Sequence, residues 1–331
     1  MNANDVKTMA KSLGADLCGI ASMDRFEGAP KQQDPRYIFP AAKSAIVLGF
    51  RIPRGYFRGI EEGTYFAAYS GMGYGALTAI YMPMVMRELC CYIEDNGYEA
   101  APVPNMYLGS SILFKTQQDE PNRSRSVDGE KPHPDILVDF RVMAFAAGLG
   151  EFGWSKMFLT PEFGPRQRLV AILSDAPLDP DPLFDGKICD RCKRCVSECS
   201  GNAISATETE GITIAGRRVE WGKFDAIKCS IAYRGGNPEY NPFMHSDAKP
   251  EEFQGKYAGN PELDKVLGYS GFNSSAVVEG ARGCIRACMI HLEDKGVLKN
   301  KFENKFRTTP PWRIKPREDD NTGKCTKEYW E

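Results

Sequence analysis

The sequence "ICDRCKRCVSECSGNAIS" (residues 188–205) contains four cysteines, at positions 189, 192, 195 and 199. Their spacing is C-x2-C-x2-C-x3-C, in which short turns direct neighbouring sulfurs to one metal site. This spacing is typical of iron–sulfur ligands. The alternative is zinc, but zinc sites usually combine two C-x2-C pairs or cysteine–histidine pairs, and the chain has three histidines. The run therefore favours iron–sulfur clusters.

The same spacing predicts how the cysteines are divided between two clusters. In two-cluster ferredoxins the fourth cysteine of such a run ligates the other cluster, so a second set of ligands is needed downstream. We assign four cysteines to a [4Fe–4S] cluster A, namely Cys189, Cys192, Cys195 and Cys288. We assign three to cluster B, namely Cys199, Cys229 and Cys284.

Cluster B lacks an obvious fourth ligand, because Ala281 stands where a C-x2-C-x3-C run would place a cysteine. Cys325 in the C-terminal tail is one candidate. Without it, cluster B is a [3Fe–4S] centre or a [4Fe–4S] centre with a non-cysteine ligand. The remaining cysteines, Cys18, Cys90 and Cys91, lie in apolar segments, and we expect them to be buried structural thiols.

The composition is that of an ordinary soluble protein with redox-active cysteines. The 331 residues carry a formal net charge of −2, which gives no electrostatic case for nucleic acid. No run reaches the roughly 18 consecutive apolar residues of a membrane span, and the N-terminus lacks the pattern of an export signal. We therefore expect a cytoplasmic protein, in which 11 cysteines favour metal or redox use over disulfides.

The hydrophobic pattern predicts a layered domain ahead of the cysteines. Helices are predicted over 5–13, from 76 to about 96, and over 139–148, and strands over 15–21, 44–52, 98–104 and 168–178. Residues 105–134 read as a long loop. The alternation predicts an α/β layered domain over 1–180, followed by the iron–sulfur module over 181–300 and a tail over 301–331 that packs on the core or is mobile.

The segment "AAGLGEFGWSKMFLTPEFGPRQRLVAILSDAPL" (146–178) resembles the core of the cobalamin-dependent reductive dehalogenases. There an AGLGE–TPEFGPR pattern precedes the ferredoxin-type cysteines, and epoxyqueuosine reductases have the same order of parts. The resemblance implies an α+β nitroreductase-like domain that binds cobalamin base-off, beside a two-cluster ferredoxin-like module. The clusters would then deliver electrons to the cobalt.

The resemblance also implies particular site residues. The expected cobalamin contacts are Gly148, Gly150, Glu151, Gly153, Thr160, Phe163 and Gly164. Glycine lets the backbone approach a flat ligand closely, although a helix C-terminus would also explain glycines here.

The expected proton donor is a tyrosine supported by a basic residue. Of the tyrosines at 65, 69, 74 and 81, Tyr74 and Tyr81 are the first choices. The segment "KPHPDILVDF" (131–140) adds His133 and Asp135 as polar active-site candidates. Arg166 in "FGPRQR" would hold the substrate or stabilise a developing anion, with a structural ion pair as the alternative.

These features predict a reductive dehalogenase-like oxidoreductase that acts on a small molecule, with a carbon–halogen bond as one candidate target. A ferredoxin or flavoprotein would donate the electrons. Neither nucleic acid nor a membrane is favoured as a partner, and a homodimer is compatible with the sequence. The alternatives are a tRNA-modifying enzyme like epoxyqueuosine reductase and a non-catalytic electron carrier or cobalamin-binding protein.

Overall fold

A four-stranded antiparallel sheet lies at the centre of the protein. The structure, a computed structural model, describes residues 1–105, 126–134, 136–233 and 283–312. The strands are β1 (Leu17–Ser22), β2 (Ser44–Arg51), β3 (Ala100–Val103) and β6 (Gln167–Ser174), and they are arranged in the order β1-β2-β6-β3. In the centre of the sheet Ile46 is opposite Ile172 and Val47 is opposite Ala171. Continuous β-branched and leucine runs form these two strands because both faces of the sheet are covered, as the sequence predicted.

Helices cover one face of the sheet. The helices α1 (Ala3–Ser12) and α3 (Met82–Asp95) pack on a core that includes Ile46, Leu48 and Ile172. Asn2 and Asp5 form a capping box at the start of α1, and Gly14 follows its end with a φ of +114°. Pro83 lies at the start of α3.

The opposite face carries α4 and parts of the C-terminal module. Helix α4 (Phe140–Ala146) packs there with the short hairpin of β4 (Glu151–Phe152) and β5 (Phe158–Leu159). Trp221 stacks on Phe152 at a ring separation of 5.0 Å. The cysteine-bearing module is therefore packed directly on the sheet layer.

A helical segment that the sequence did not predict precedes α3. Ala68–Tyr81 winds as a π-helix and continues into α3, whereas the sequence predicted a helix only from Ala76. The continuous stretch Ala68–Asp95 is long and apolar enough to cross a membrane by length and composition alone, with 33% of its apolar window buried. The second half of this stretch packs on the sheet through Met82, Leu89 and Ile93. It therefore occupies the position of a core helix.

The C-terminal module combines short helices with a long hairpin. Its elements are α5 (Arg194–Ser197), β7 (Ile204–Ile214), β8 (Arg217–Phe224), α6 (Ala226–Tyr233) and α7 (Cys284–Asp294). The β7–β8 hairpin, which the sequence analysis missed, separates Cys199 from Cys229. The remaining short elements are α2 (Arg58–Glu62) and the 3-10 helices Met23–Phe26, Lys31–Gln33, Pro35–Tyr37 and Arg54–Phe57.

The first part of the predicted tail packs on the core. Phe306 is 2% exposed, and the indole N–H of Trp312 donates to the carbonyl of Ile60 at 3.1 Å. Of the loop predicted over 105–134, residues 106–125 lie outside the described part of the chain.

Replacing Gly150 by alanine is expected to destabilise the fold. A Cβ at Gly150 would collide with the carbonyl oxygen of Leu159, a backbone atom that cannot move aside cheaply. Overpacking of this kind costs about 1–3 kcal/mol, so the urea midpoint of the anaerobic protein should fall clearly. Gly71→Ala is the matched control, because a Cβ there meets nothing within 4 Å. Equal midpoints for the two variants would contradict the collision.

Candidate functional site

Four cysteines from two distant segments line one small cavity. Cys189, Cys192 and Cys195 come from the loop before and within α5, and Cys288 comes from α7. Gly153, Trp154 and Leu292 complete part of the wall. These are the four cysteines predicted for cluster A.

The backbone around the cavity is shaped to surround a cluster. Arg191 and Lys193 have φ values of 57° and 58°, so the chain turns tightly between successive cysteines, and turns of this type direct backbone N–H groups at anions. The backbone N–H of Trp154 donates to the Cys189 sulfur at 3.4 Å. Such N–H groups stabilise the negative charge of cluster thiolates.

The pKa values of the thiols test whether a metal cluster fits this cavity. Burial, followed by the neighbouring sulfurs of Cys189 and Cys192, raises the pKa of Cys195 to about 12. Burial and the other three sulfurs also raise the pKa of Cys288 well above its ordinary value. Four sulfurs this close oppose each other's ionisation unless positive charge lies between them. The iron of a cluster supplies that charge, so this donor set fits an iron–sulfur cluster.

Glu151 connects the AGLGE segment to this cysteine loop. One carboxylate oxygen, Oε1, accepts hydrogen bonds from the backbone N–H groups of Ile188 and Cys189, each at 2.6 Å. The residue predicted to contact cobalamin thus fixes the start of the iron–sulfur loop. Its contribution to the loop is a pair of charge-assisted hydrogen bonds.

Removing the Glu151 carboxylate is expected to weaken the retention of cluster A. Glu151→Ala leaves two backbone N–H groups without their acceptor, and each such loss costs about 1–3 kcal/mol when the group stays buried. We expect faster iron release under chelator challenge, measured by the decay of visible absorbance. Glu88→Ala on the exposed surface of α3 is the control. An unchanged release rate in Glu151→Ala would contradict the positioning role.

The cysteines predicted for cluster B come from three neighbouring elements. Cys199 and Cys284 contact one small apolar cluster around Trp154 and Ile204, and the backbone N–H of Ala203 donates to the Cys199 sulfur at 3.3 Å. Helix α6, which carries Cys229, packs on the loop after Cys199 at Gly201, where a Cβ would meet α6. Cys325 and Ala281 lie outside the described residues.

A second group of metal-ligand types lies beside cluster A. Ligand atoms of Asp190, Cys192 and His291 all lie within 4.8 Å of one another. However, the Asp190 carboxylate already pairs with Lys295 at 2.6 Å and His291 at 2.9 Å. Those two contacts hold the pKa of Asp190 far below its usual range. The group is therefore explained as an ion pair at the edge of the cysteine cavity.

A cluster of three tyrosines and one arginine lies between the sheet and α6. The Arg168 guanidinium is 4.0 Å from the ring centre of Tyr74 and donates to the Thr78 hydroxyl at 3.2 Å. The hydroxyls of Tyr69 and Tyr233 are 3.4 Å apart, and the rings of Tyr74 and Tyr233 are 6.3 Å apart. The π-helix contributes to this arrangement, because its i→i+5 ladder brings Tyr69 and Tyr74 to one face.

Electrostatics in this cluster favour a charged arginine beside neutral phenols. Burial lowers the pKa of Arg168, but Tyr74, Tyr233 and Tyr69 outweigh it and raise that pKa above its ordinary value. Burial, then Tyr69 and Tyr74, raises the pKa of Tyr233 well above 10. A guanidinium in this position stabilises the phenolate that remains after a tyrosine donates its proton. The cluster thus holds a charged guanidinium against neutral phenol groups.

The other predicted catalytic residues lie apart from this cluster. The Tyr81 hydroxyl donates to the carbonyl of Gly14 at 3.3 Å, and its ring packs on the edge of Phe50. Arg166 is 1% exposed and donates to the carbonyl of Ile52 and the side chain of Asn300, both at 2.8 Å. Sequence reasoning chose Arg166 and missed Arg168, the second arginine of "FGPRQR".

His133 lines a cavity at the edge of the sheet, beside β3. The cavity has a volume of about 680 Å³, and apolar side chains such as Val103, Leu137 and Phe140 form much of its wall. The backbone of His133 exchanges two hydrogen bonds with the Gln32 side chain, at 3.0 and 3.1 Å. Asp135, the other candidate in this segment, lies outside the described residues.

The residues expected to contact cobalamin are mostly buried against the protein itself. A Cβ at Gly148 would collide with the carbonyl of Pro182, and one at Gly164 would press on Leu292 and Leu298. Thr160 is fully buried, with its hydroxyl near Gln167 at 3.2 Å. Phe163 and Gly153 are also buried. Contacts within the protein therefore explain why glycine stands at Gly148 and Gly150.

Comparisons with known proteins relate the chain to two groups of reductases. No protein-family model matches the chain. The tetrachloroethene reductive dehalogenase of Sulfurospirillum multivorans is 27% identical over 254 residues, which cover 65% of this chain and 42% of that protein. The epoxyqueuosine reductase of Bacillus cereus is 23% identical over 270 residues, which cover 73% of this chain and 59% of that protein.

One solved structure is similar to this chain over most of its length. A reductive dehalogenase described in terms of B12-dependent dehalogenation matches 96% of this chain and 42% of its own, with a TM-score of 0.48 and 18% identity. The matched segments cover 42% of the Sulfurospirillum multivorans protein and 59% of the Bacillus cereus protein. From these sequence matches, the chain is a relative of the reductive dehalogenases that is also related to the epoxyqueuosine reductases.

Proposed function

We propose that this chain is a cobalamin- and iron–sulfur-dependent reductase of the reductive dehalogenase type. The observation that carries the proposal is the meeting of Cys189, Cys192 and Cys195 with the distant Cys288 around one cavity. An iron–sulfur cluster held by these four cysteines would transfer electrons. The chemistry supplied by the bound cofactors is one-electron transfer followed by reductive bond cleavage at cobalt.

Eight cysteines are candidates for holding two clusters. Cluster A takes the four that line the cavity as a [4Fe–4S] ligand set. Cluster B takes Cys199, Cys229 and Cys284, with Cys325 or a non-cysteine group as the fourth ligand, or remains a [3Fe–4S] centre. The packing of Cys195, Cys199 and Cys284 around Trp154 and Ile204 supports two clusters in close succession.

Base-off cobalamin would lie beside Tyr74, on the α3 face of the sheet, because a proton donor has to reach the reacting atoms. The cavity beside β3 lies on the other face, since its wall shares Val103, Val138 and Phe140 with the core beneath α4. Its volume of about 680 Å³ is in the range usual for drug-sized ligands, so it suits an organic molecule smaller than a corrinoid, with His133 at its edge. The segment from Gly148 to Gly164 would support the cofactors indirectly, through the hydrogen bonds of Glu151 to the cluster A loop.

Tyr74 is the proposed proton donor, with Arg168 as its supporting cation. Their contact at 4.0 Å matches the pairing of a tyrosine with a basic residue that the resemblance implies. Arg168 would stabilise the phenolate after proton transfer and so make the donation easier. Tyr81, which is hydrogen-bonded to Gly14, is not needed in this scheme.

The proposed setting is cytoplasmic, with a ferredoxin or flavoprotein as electron donor and a small molecule as substrate. A carbon–halogen bond is the first candidate target. Epoxyqueuosine reduction in tRNA is the second candidate function, and it is supported by the match to the Bacillus cereus enzyme, which extends over 59% of that protein.

Metal analysis and a substrate comparison test the proposal. The protein would be purified without oxygen, reconstituted with hydroxocobalamin, and examined for iron, cobalt and EPR signals. About eight irons and one base-off cobalt per chain are expected, or about seven irons if cluster B is a three-iron centre. Iron without cobalamin binding would overturn the proposal and leave an electron carrier.

Chemically reduced protein would then be offered halogenated substrates and epoxyqueuosine-containing tRNA in parallel. Halide release supports the dehalogenase function, and formation of queuosine in tRNA supports the second candidate.

A further inference from the structure

A pocket lined by four arginines shares no lining residue with the cysteine cavity and includes neither Tyr74 nor Arg168. It has a volume of about 470 Å³, and its wall includes Arg51, Arg54, Arg58 and Arg166 together with Phe302 and Phe306. No aspartate or glutamate is among the described residues that line it. The lining therefore presents guanidinium and aromatic groups without a carboxylate.

Three of the four arginines already have carboxylate partners behind the pocket wall. Arg51 pairs with Asp16 at 3.1 Å, Arg54 with Glu293 at 2.9 Å, and Arg58 with Glu62 at 3.1 Å. The partners fix the orientation of the guanidinium groups. They also balance three of the four charges.

Arg166 has no carboxylate of its own, because Glu293, the carboxylate that acts on it electrostatically, is already paired with Arg54. It is 1% exposed, and within the described parts of the chain it hydrogen-bonds only to the neutral oxygens of Ile52 and Asn300. Its Nε has no hydrogen-bond partner there. Two largely buried guanidinium groups that share one carboxylate leave one positive charge in excess, which is costly, and an anion in the adjoining pocket would offset that cost.

We propose that this pocket binds a small organic ligand carrying a carboxylate or phosphate group. The exposed guanidinium groups of Arg51 and Arg58 at the rim match the oxygens of such a group, because arginine forms paired hydrogen bonds with both anions. Phe302, which is 40% exposed, offers apolar surface to the organic part of the ligand. The buried charge of Arg166 favours the anion from beneath.

Calorimetric titration of the anaerobic protein with phenyl phosphate and phenylacetate tests the proposal. One of the two should bind with a dissociation constant of about 1 mM or lower, and the tighter one identifies the preferred anionic group. Phenol, which has the ring without the anion, should not bind measurably. Added salt should weaken the binding, because exposed guanidinium groups are screened.

Variants at the rim locate the binding without disturbing the core. Arg58→Gln should weaken binding by roughly tenfold, because it removes one charge-assisted hydrogen bond, whereas Arg87→Gln on the exposed side of α3 should have no effect. Failure of both anions to bind, equal binding by phenol, or unchanged binding in Arg58→Gln would overturn the proposal. Because the titration needs neither turnover nor cobalamin, such a failure leaves the proposed reductase function untouched.

Discussion

Replacing Cys288 by alanine is expected to disrupt cluster A while leaving cluster B in place. Cys288 is the one cavity cysteine on α7, and the other three come from a single loop. A cubane that loses one of its four thiolates either releases an iron or falls apart. We therefore expect a loss of between about one and about four irons per chain, the loss of one of two EPR signals, and no reductive turnover.

The control for this variant is Cys91→Ala. Cys91 is partly exposed on α3, in the helix that packs on the opposite side of the sheet from the cysteine module. We expect its iron content and EPR spectrum to match those of the unaltered protein. If Cys288→Ala kept both signals and its full iron, cluster A would have another ligand and the assignment would be wrong.

Local sequence patterns predicted the parts of the fold that depend on local physics. Strands β2 and β6 were placed to within a few residues, because long β-branched runs fit a sheet covered on both faces. The helix predicted from Ala76 to about residue 96 contains α3, which ends at Asp95. The cysteine spacing likewise grouped Cys288 with the loop cysteines, which the structure brings to one cavity.

The π-helix and the long hairpin were not predictable in this way. Gly71, Gly73 and Gly75 lower helix propensity, and the apolar pattern of a π-helix does not follow the 3.6-residue period that sequence reading uses. The β7–β8 hairpin was missed because its β7 strand is largely exposed and rich in threonine and glutamate.

Arg168, the arginine of the proposed tyrosine–arginine pair, is a residue that the sequence pattern could have pointed to. In a strand, alternate residues face the same side, so Arg168 shares a face with Val170 and Ile172. That face lies beneath the helices, where the aromatic-rich segment before α3 must also pack. The sequence therefore held a signal for Arg168, whereas the choice between Tyr74 and Tyr81 depended on the winding of the π-helix.

Replacing Tyr74 by phenylalanine is expected to lower reductive turnover by about 10²- to 10⁴-fold, which is the usual contribution of a positioned general acid. The ring would still pack against Arg168 and Tyr233, so the fold and both clusters should be retained. Turnover would be measured with reduced methyl viologen and the substrate found in the screen, and the iron content and EPR spectrum would be recorded on the same sample.

Tyr81→Phe separates a catalytic role from a general need for tyrosine in this helix. The Tyr81 hydroxyl makes one hydrogen bond to the carbonyl of Gly14, so its loss should cost about 1 kcal/mol of stability and leave turnover nearly unchanged. Arg168→Gln should lower reductive turnover as Tyr74→Phe does, because the phenolate of Tyr74 would lose its supporting cation. A large loss of turnover in Tyr81→Phe, with Tyr74→Phe fully active, would move the proton donor to Tyr81 and remove the role proposed for the tyrosine–arginine cluster.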